Sequence, residues 1–238
     1  MQVQVYTHGM NETYPIASVA DLISDPARAA MLIALLDGRA RPAGELARIS
    51  GISAQSASGH LSKLVDGGLL AVQSEGRHRY YKISSGEVGH AMEALGAIAT
   101  IPTSNARIAL RELDPLQNAR TCYDHLAGRV AVQITGALEK SKVICLRGER
   151  DYELGRDGER WFRKFGVDVD SLRGTRRCFA RRCLDWTERK PHLAGALGAA
   201  FCNKIITLGW VARRPNSRAL RITESGEREL RRRFGIAI

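Results

Sequence analysis

What this chain lacks narrows its reading before any motif is sought. No apolar run in its 238 residues approaches the roughly 18 needed to cross a membrane. The N-terminus carries no charged-then-apolar leader, so a cytoplasmic, non-membrane protein is expected. Cysteine is sparse and odd in number, at five, which does not suit a secreted disulfide framework, and reduced thiols are expected. Enzymatic signatures are missing too: there is no phosphate loop, dinucleotide fingerprint, H-E-x-x-H or nucleophile elbow, so the reading is non-enzymatic. What is present is length and apolar content, 44% hydrophobic, enough for two domains with real cores.

The net charge of +11 is unevenly spread. Residues 1–101 hold 8 Lys/Arg against 9 acids, leaving 28 against 16 in residues 102–238. The basic character therefore belongs to the second half and points to an anionic neighbour there, most simply DNA flanking a binding site, or to a solvated basic surface.

Residues Ser53 to Ser84 carry the strongest local pattern. Ser53 suits an N-cap, since its hydroxyl can accept an orphan N–H of the first turn. Ala57, Leu61, Leu64 and Val65 then recur at helical spacing and face a core. Gln55, Ser56, Gly59, Ser62 and Lys63 line the other face, short or amide side chains with almost no acid, which suits approach to phosphates and base edges. Gly67-Gly68 is expected to end the helix in a left-handed cap. Leu69–Gln73 and Arg79–Ile83 read as strands around a Glu75-Gly76-Arg77-His78 turn, a basic hairpin tip. Gln55, Ser56, Ser58 and His60 are base-edge or groove candidates, the last two nearer the buried stripe. Lys63, Arg77, His78 and Arg79 are the phosphate or groove contacts.

These residues, with DPARAAMLIALLDG at Asp25–Gly38, GELARISGIS at Gly44–Ser53, S-x-H-L-x-x-L at Ser58–Leu64, GGL at Gly67–Leu69 and GR-x-x-x-Y at Gly76–Tyr81, resemble the winged helix-turn-helix of the ArsR/SmtB repressors. The resemblance runs from Ile16 to about Ile101. It implies a homodimer on a double-stranded operator of pseudo-twofold symmetry, released when an inducer binds. Two departures matter. The cysteine pair that metal-sensing members often carry before the reading helix is missing from Glu45–Ser50, and His90 with Glu93 is too little for the family's other common site. Most members also end near one such domain, whereas this chain continues.

The continuation contains a repeat. His125-Leu126-Ala127-Gly128 recurs as His192-Leu193-Ala194-Gly195, and GERWFRKFGV at Gly158–Val167 recurs as GERELRRRFGI at Gly226–Ile236. Each unit reads as a long helix (about Tyr123–Glu139, then His192–Leu208), a strand pair and an amphipathic helix, resembling a winged helix without its reading helix. The Pro215-Asn216-Ser217 turn, flanked by arginines, reads as a wing-like tip, solvated or against phosphate. The expected fold is mainly α with small β-hairpins (α+β): a winged helix-turn-helix at 1–103, a linker at 104–119 with a short helix near Ala106–Leu113, and a duplicated helix-hairpin-helix domain at 120–238 serving effector binding or dimerisation.

Candidate chemistry is confined to that second domain. Cys-x-Asp occurs as Cys122-Tyr123-Asp124 before His125 and as Cys183-Leu184-Asp185 before His192. Cys122, Asp124, His125, Cys183, Asp185 and His192 could ligate zinc or a softer ion or hold a reactive thiol, with structural capping as the alternative. Cys178 and Cys183 are too far apart for a tight zinc pair, and Cys145 and Cys202 read as core. Arg173–Lys190 reads as an anion-binding cluster or a helix with a solvated basic face. Trp186 and Trp210 could line a pocket or pack in a core. The expected function is a DNA-binding transcriptional regulator with a small-molecule or ion inducer and a metal ion as possible cofactor. The alternatives are a thiol-based redox or metal sensor and a non-specific architectural DNA binder. Dimerisation is expected mainly through Ile16–Ile23 and Val88–Ile98.

Overall fold

The computed structural model describes residues 15–75, 78–99 and 114–237. The N-terminal domain runs α1 (Pro15–Ser24), α2 (Pro26–Ala34), a 3-10 turn, β1 (Arg41–Pro42), α3 (Ala43–Ser50), α4 (Ala54–Asp66), β2 (Leu70–Glu75), β3 (His78–Ile83) and α5 (Gly86–Ile98). Local chemistry sets these boundaries. Pro26 opens α2 behind an Asp25 cap that accepts from the Arg28 amide, and Ser53 and Ser85 cap α4 and α5 in the same way. The left-handed conformation expected of the double glycine falls on Gly68 (φ 73°), while Gly67 keeps a negative φ and packs against Leu22. Met31, Leu35, Leu46, Ala57, Leu61 and Leu64 form the core beneath α4, and three strands in the order β1-β3-β2 make the wing.

The C-terminal domain opens with α6 (Asp114–Asn118), and the expected helix at Ala106–Leu113 lies outside the described residues. The first repeat is β4 (Arg120–Cys122), β5 (His125–Ala127), α7 (Arg129–Lys140), β6 (Ile144–Arg147), β7 (Asp151–Leu154) and α8 (Gly158–Phe165), followed by α9 (Val169–Arg173). The second is β8 (Arg181–Leu184), β9 (Pro191–Ala194), α10 (Gly195–Thr207), β10 (Val211–Arg213), β11 (Leu220–Ile222) and α11 (Glu224–Phe234). Each unit is hairpin–helix–hairpin–helix, which corrects the expected helix starts: His125 and His192 lie on strands. The cause is the glycine ending each His-Leu-Ala-Gly. Gly128 (φ 90°) and Gly195 (φ 79°) turn strand into helix, and a Cβ there would meet Gln117 O at 2.8 Å and Cys178 O at 2.7 Å.

The repeats exchange faces. Helix α7 packs on β9 and α10 on β5, and the buried Thr135 hydroxyl of α7 accepts from the Leu193 amide of β9 at 3.0 Å. One core serves both, with Phe165 stacked on Phe201 and Trp210 buried edge-on to Phe165. Arg173–Lys190 is not a helix with a solvated basic face. It runs from the end of α9 through β8, where Arg173 pairs with Glu159, Arg177 with Asp124, and Arg182 donates to Glu149 O.

The two domains share a small core of Leu36, Ala97, Leu116, Trp186 and Ala219. The Pro215-Asn216-Ser217 turn is exposed at Pro215 and Asn216, while Arg218 beside it is docked: it donates from Nε to Leu36 O (2.6 Å) and from its amide to Asp37 O (2.7 Å). Arg189 donates to Ala97 O at 2.6 Å, at the C-terminal end of α5 where a cation is favoured. Among the described residues no helix is long and apolar enough to cross a membrane.

Candidate functional site

Helix α4 is built two-sided. Ala57, Leu61 and Leu64 are buried, and Gln55, Ser56, Ser58 and Lys63 are exposed. Ser58, expected nearer the buried stripe, therefore stands on the open face. His60 is half-buried, with Nδ1 3.6 Å from the Asp25 carboxylate that caps α2, so its side chain ties α4 to α2. Arg79 is exposed on β3, His78 begins that strand, and Arg77 lies outside the described residues.

A second constellation lies in the C-terminal domain. The register of β4 and β5 sets Cys122 directly opposite His125, and that of β8 and β9 sets Cys183 opposite His192. Opposed residues on antiparallel strands share a face, so each hairpin offers one thiol and one imidazole side by side. Because β5 packs against β9, the four donor atoms gather within 4.8 Å of one another. The two Nε2 atoms are 3.1 Å apart, with the rings inclined at 31°. Behind them, Asp124 Oδ1 lies 3.3 Å from His125 Nδ1 and Asp185 Oδ2 lies 3.5 Å from His192 Nδ1, a nitrogen with no hydrogen-bond partner. All five cysteines are free thiols.

Electrostatics separate these groups. The neighbouring Cys183 thiol, reinforced by burial, pushes the Cys122 thiol up to about 12, whereas Cys183, coupled to it, moves down. Burial would raise Asp185, but Arg120, the Thr187 hydroxyl and the Gly128 amide outweigh it and hold the carboxyl at about 2. Of the six candidates, the structure brings the two thiols and two imidazoles together, and the two aspartates stand behind the imidazoles.

Sequence reasoning weighed Glu93 only beside His90 and missed its role, which is to join this cluster to the reading domain. Glu93, on α5 and 4% exposed, accepts at Oε1 from Arg120 Nε (3.2 Å), Trp186 Nε1 (3.1 Å) and Arg218 Nη2 (2.9 Å). Its Oε2 accepts from the Cys122 thiol at 3.2 Å. Arg218 and Arg120 hold its carboxyl down against the upward pull of burial. The available signal was weak: an acid past the first turn of a largely apolar helix, with partners 27 and 125 residues on. A cleft of about 780 Å³, lined by Glu93, Ala97, Cys122, Cys183, Trp186 and His192, opens onto the cluster. Trp186 thus lines a cavity, and Trp210 packs in the core.

Comparison with known proteins bears on the reading domain and on the whole chain. Residues 23–73 match a family described as a helix-turn-helix domain. The chain is 40% identical over 223 residues to an uncharacterized HTH-type transcriptional regulator, YdfF, of Bacillus subtilis, covering 94% of this chain and 98% of that one. It is 32% identical over 97 residues to the HTH-type transcriptional regulator CmtR of Mycobacterium tuberculosis, covering 40% of this chain and 81% of that one. Among solved structures it is similar to the homodimeric winged helix-turn-helix DNA-binding domain of a possible ArsR-family regulator of Mycobacterium bovis (26% identity, 35% and 77% of the two chains, TM-score 0.34). The full-length likeness to a regulator and the two-sided α4 lead to one conclusion: the chain belongs to the HTH-type transcriptional regulators, as a DNA-binding helix-turn-helix protein.

Proposed function

We propose that the protein is a homodimeric cytoplasmic repressor that reads a twofold-symmetric operator through α4 and the wing and leaves it when an inducer occupies the Cys/His cluster. The observation carrying this is α4 itself. From Ala54 to Lys63 its open face presents Gln55, Ser56, Ser58 and Lys63 with no acid, while Leu61 and Leu64 fix the helix from behind. Such a face suits the major groove, where amides pair with base edges and a lysine meets phosphate. Arg79 on β3, with Arg77 and His78 just before it in sequence, supplies backbone or minor-groove contacts.

Apolar side chains support the dimer. No residue of α1 is buried, and Ile16 (78% exposed) and Ile98 (75%) offer surface to a second copy. The Cys/His cluster suits the inducer because Glu93 joins it to α5 of the reading domain. The proposed role is non-enzymatic.

Selection of duplexes from a randomised library, followed by titration of selected and random DNA across salt, tests the reading. Selected duplex should bind at least about 10³-fold tighter. Equal affinity with a steep salt dependence would replace specific reading with architectural binding.

A further inference from the structure

We propose that Cys122, His125, Cys183 and His192 form a closed tetrahedral site for one divalent ion of the zinc class, shared between the two repeats. As a control element this rests on reading the cluster as the inducer site; as a metal site it stands on geometry alone.

The imidazoles carry the case. The hydrogen bond of Asp124 to His125 Nδ1, and the negative charge of Asp185 3.5 Å from His192 Nδ1, favour the Nδ1–H tautomer in each ring, as a carboxylate does for metal-bound histidines. Both Nε2 atoms then direct lone pairs at one another across 3.1 Å. A hydrogen bond between them would need a buried imidazolium, or one ring turned to the other tautomer with a bare Nδ1 lone pair facing a carboxylate. A cation between them removes the conflict. Tetrahedral zinc, with nitrogens at about 2.0–2.1 Å, sets two imidazole donors about 3.3 Å apart, close to the separation present.

The thiols complete the set. Two sulfurs and two nitrogens suit zinc, cadmium or cobalt and disfavour magnesium and calcium, which take oxygen. Binding displaces one proton from each thiol, and the two go to solvent. Two thiolates balance the 2+ charge, so the ion and its first ligands are neutral as a unit, which suits their burial. Each repeat contributes half, Cys122 with His125 and Cys183 with His192, across hairpins whose registers are equivalent. Losing its proton also ends the Cys122 hydrogen bond to Glu93 Oε2 and leaves a carboxylate beside a thiolate. That strains the contact joining the cluster to α5 and gives the ion a handle on DNA binding.

The test uses the reduced full-length chain, stripped with chelator and titrated with Co²⁺. The expected result is one ion per chain, strong visible bands of tetrahedral cobalt, thiolate-to-cobalt charge transfer in the near ultraviolet, two protons released per ion and displacement by Zn²⁺. Cys183→Ser should weaken binding at least 100-fold with loss of charge-transfer intensity, and Cys145→Ser should not. Asp124→Asn, at a partly exposed position and checked for a parent-like thermal melt, should weaken binding by about 10–100-fold. Weak six-coordinate spectra, binding unchanged in Cys183→Ser and Asp124→Asn, or a Cys122–Cys183 disulfide in place of any metal binding would overturn the site. Titration of a selected duplex separates the two readings. DNA binding without cobalt binding leaves the regulator and removes the site, and cobalt binding without sequence preference does the reverse.

Discussion

Cys122 and Glu93 belong to different domains, and the thiol of one donates to the carboxylate Oε2 of the other across 3.2 Å. The same carboxylate neutralises Arg120, which is wholly buried, and Arg218, which reaches in from the β10–β11 turn. Removing it leaves Arg218 without a carboxylate and the buried Arg120 with Asp185 alone, 3.0 Å away. Glu93→Ala is therefore expected to destabilise the chain by about 3–5 kcal/mol, read from urea unfolding. Glu93→Gln, which keeps the shape and some acceptors, should cost less. A loss below about 1 kcal/mol for the alanine variant would show that the carboxylate is not what holds the domain contact.

The two faces of the reading unit should fail differently. Gln55→Ala removes an exposed amide and is expected to cost about 1–3 kcal/mol on the selected operator while leaving random DNA unaffected. Arg79→Ala, or Arg77→Ala beside it, should weaken all sequences alike and flatten the salt slope by roughly one unit. Equal loss on selected and random duplexes for Gln55→Ala would take that residue off the base-reading face.

The reading domain was legible in the sequence because its determinants are local. Ser53 caps, Leu61 and Leu64 repeat at helical spacing, and Gly67-Gly68 stops the helix, all within a 16-residue stretch. The second domain was half legible. The repeated His-Leu-Ala-Gly located the cluster, but a short apolar run before a helix reads as helix, and the strand pairing of His125 and His192 with the turn at Gly128 and Gly195 is set by backbone conformation that the sequence pattern does not display. The docking of Arg218 onto Leu36 and Asp37 spans more than 180 residues, and no pattern along the chain could show it.

That reading of the glycines can be checked by substitution. Gly195→Ala places a Cβ against the Cys178 carbonyl at a positive φ and is expected to destabilise by more than about 1 kcal/mol. Gly136→Ala, in the exposed middle of α7 with nothing within 4 Å, should stabilise by roughly 0.5–1 kcal/mol. Thermal melts of the pair decide it, since shifts of the same sign would contradict the assignment.

Ile98→Arg tests the dimer. At 75% exposure the side chain lies at the rim of the cleft and outside the core, so folding should survive while a charge enters the proposed interface. Sedimentation at micromolar concentration is expected to show dimer for the parent and monomer for the variant. A parent already monomeric would remove the interface.

The exchange of faces between the repeats makes the cluster a clasp. Each hairpin alone offers two donors, too few to hold an ion firmly, and α7 and α10 hold the two halves at a very high effective concentration. Grip therefore depends on the hairpins staying together more than on any one ligand. A disturbance that parts them anywhere along β5 and β9 releases the whole load at once, so capture and release should be steep in temperature and denaturant rather than graded.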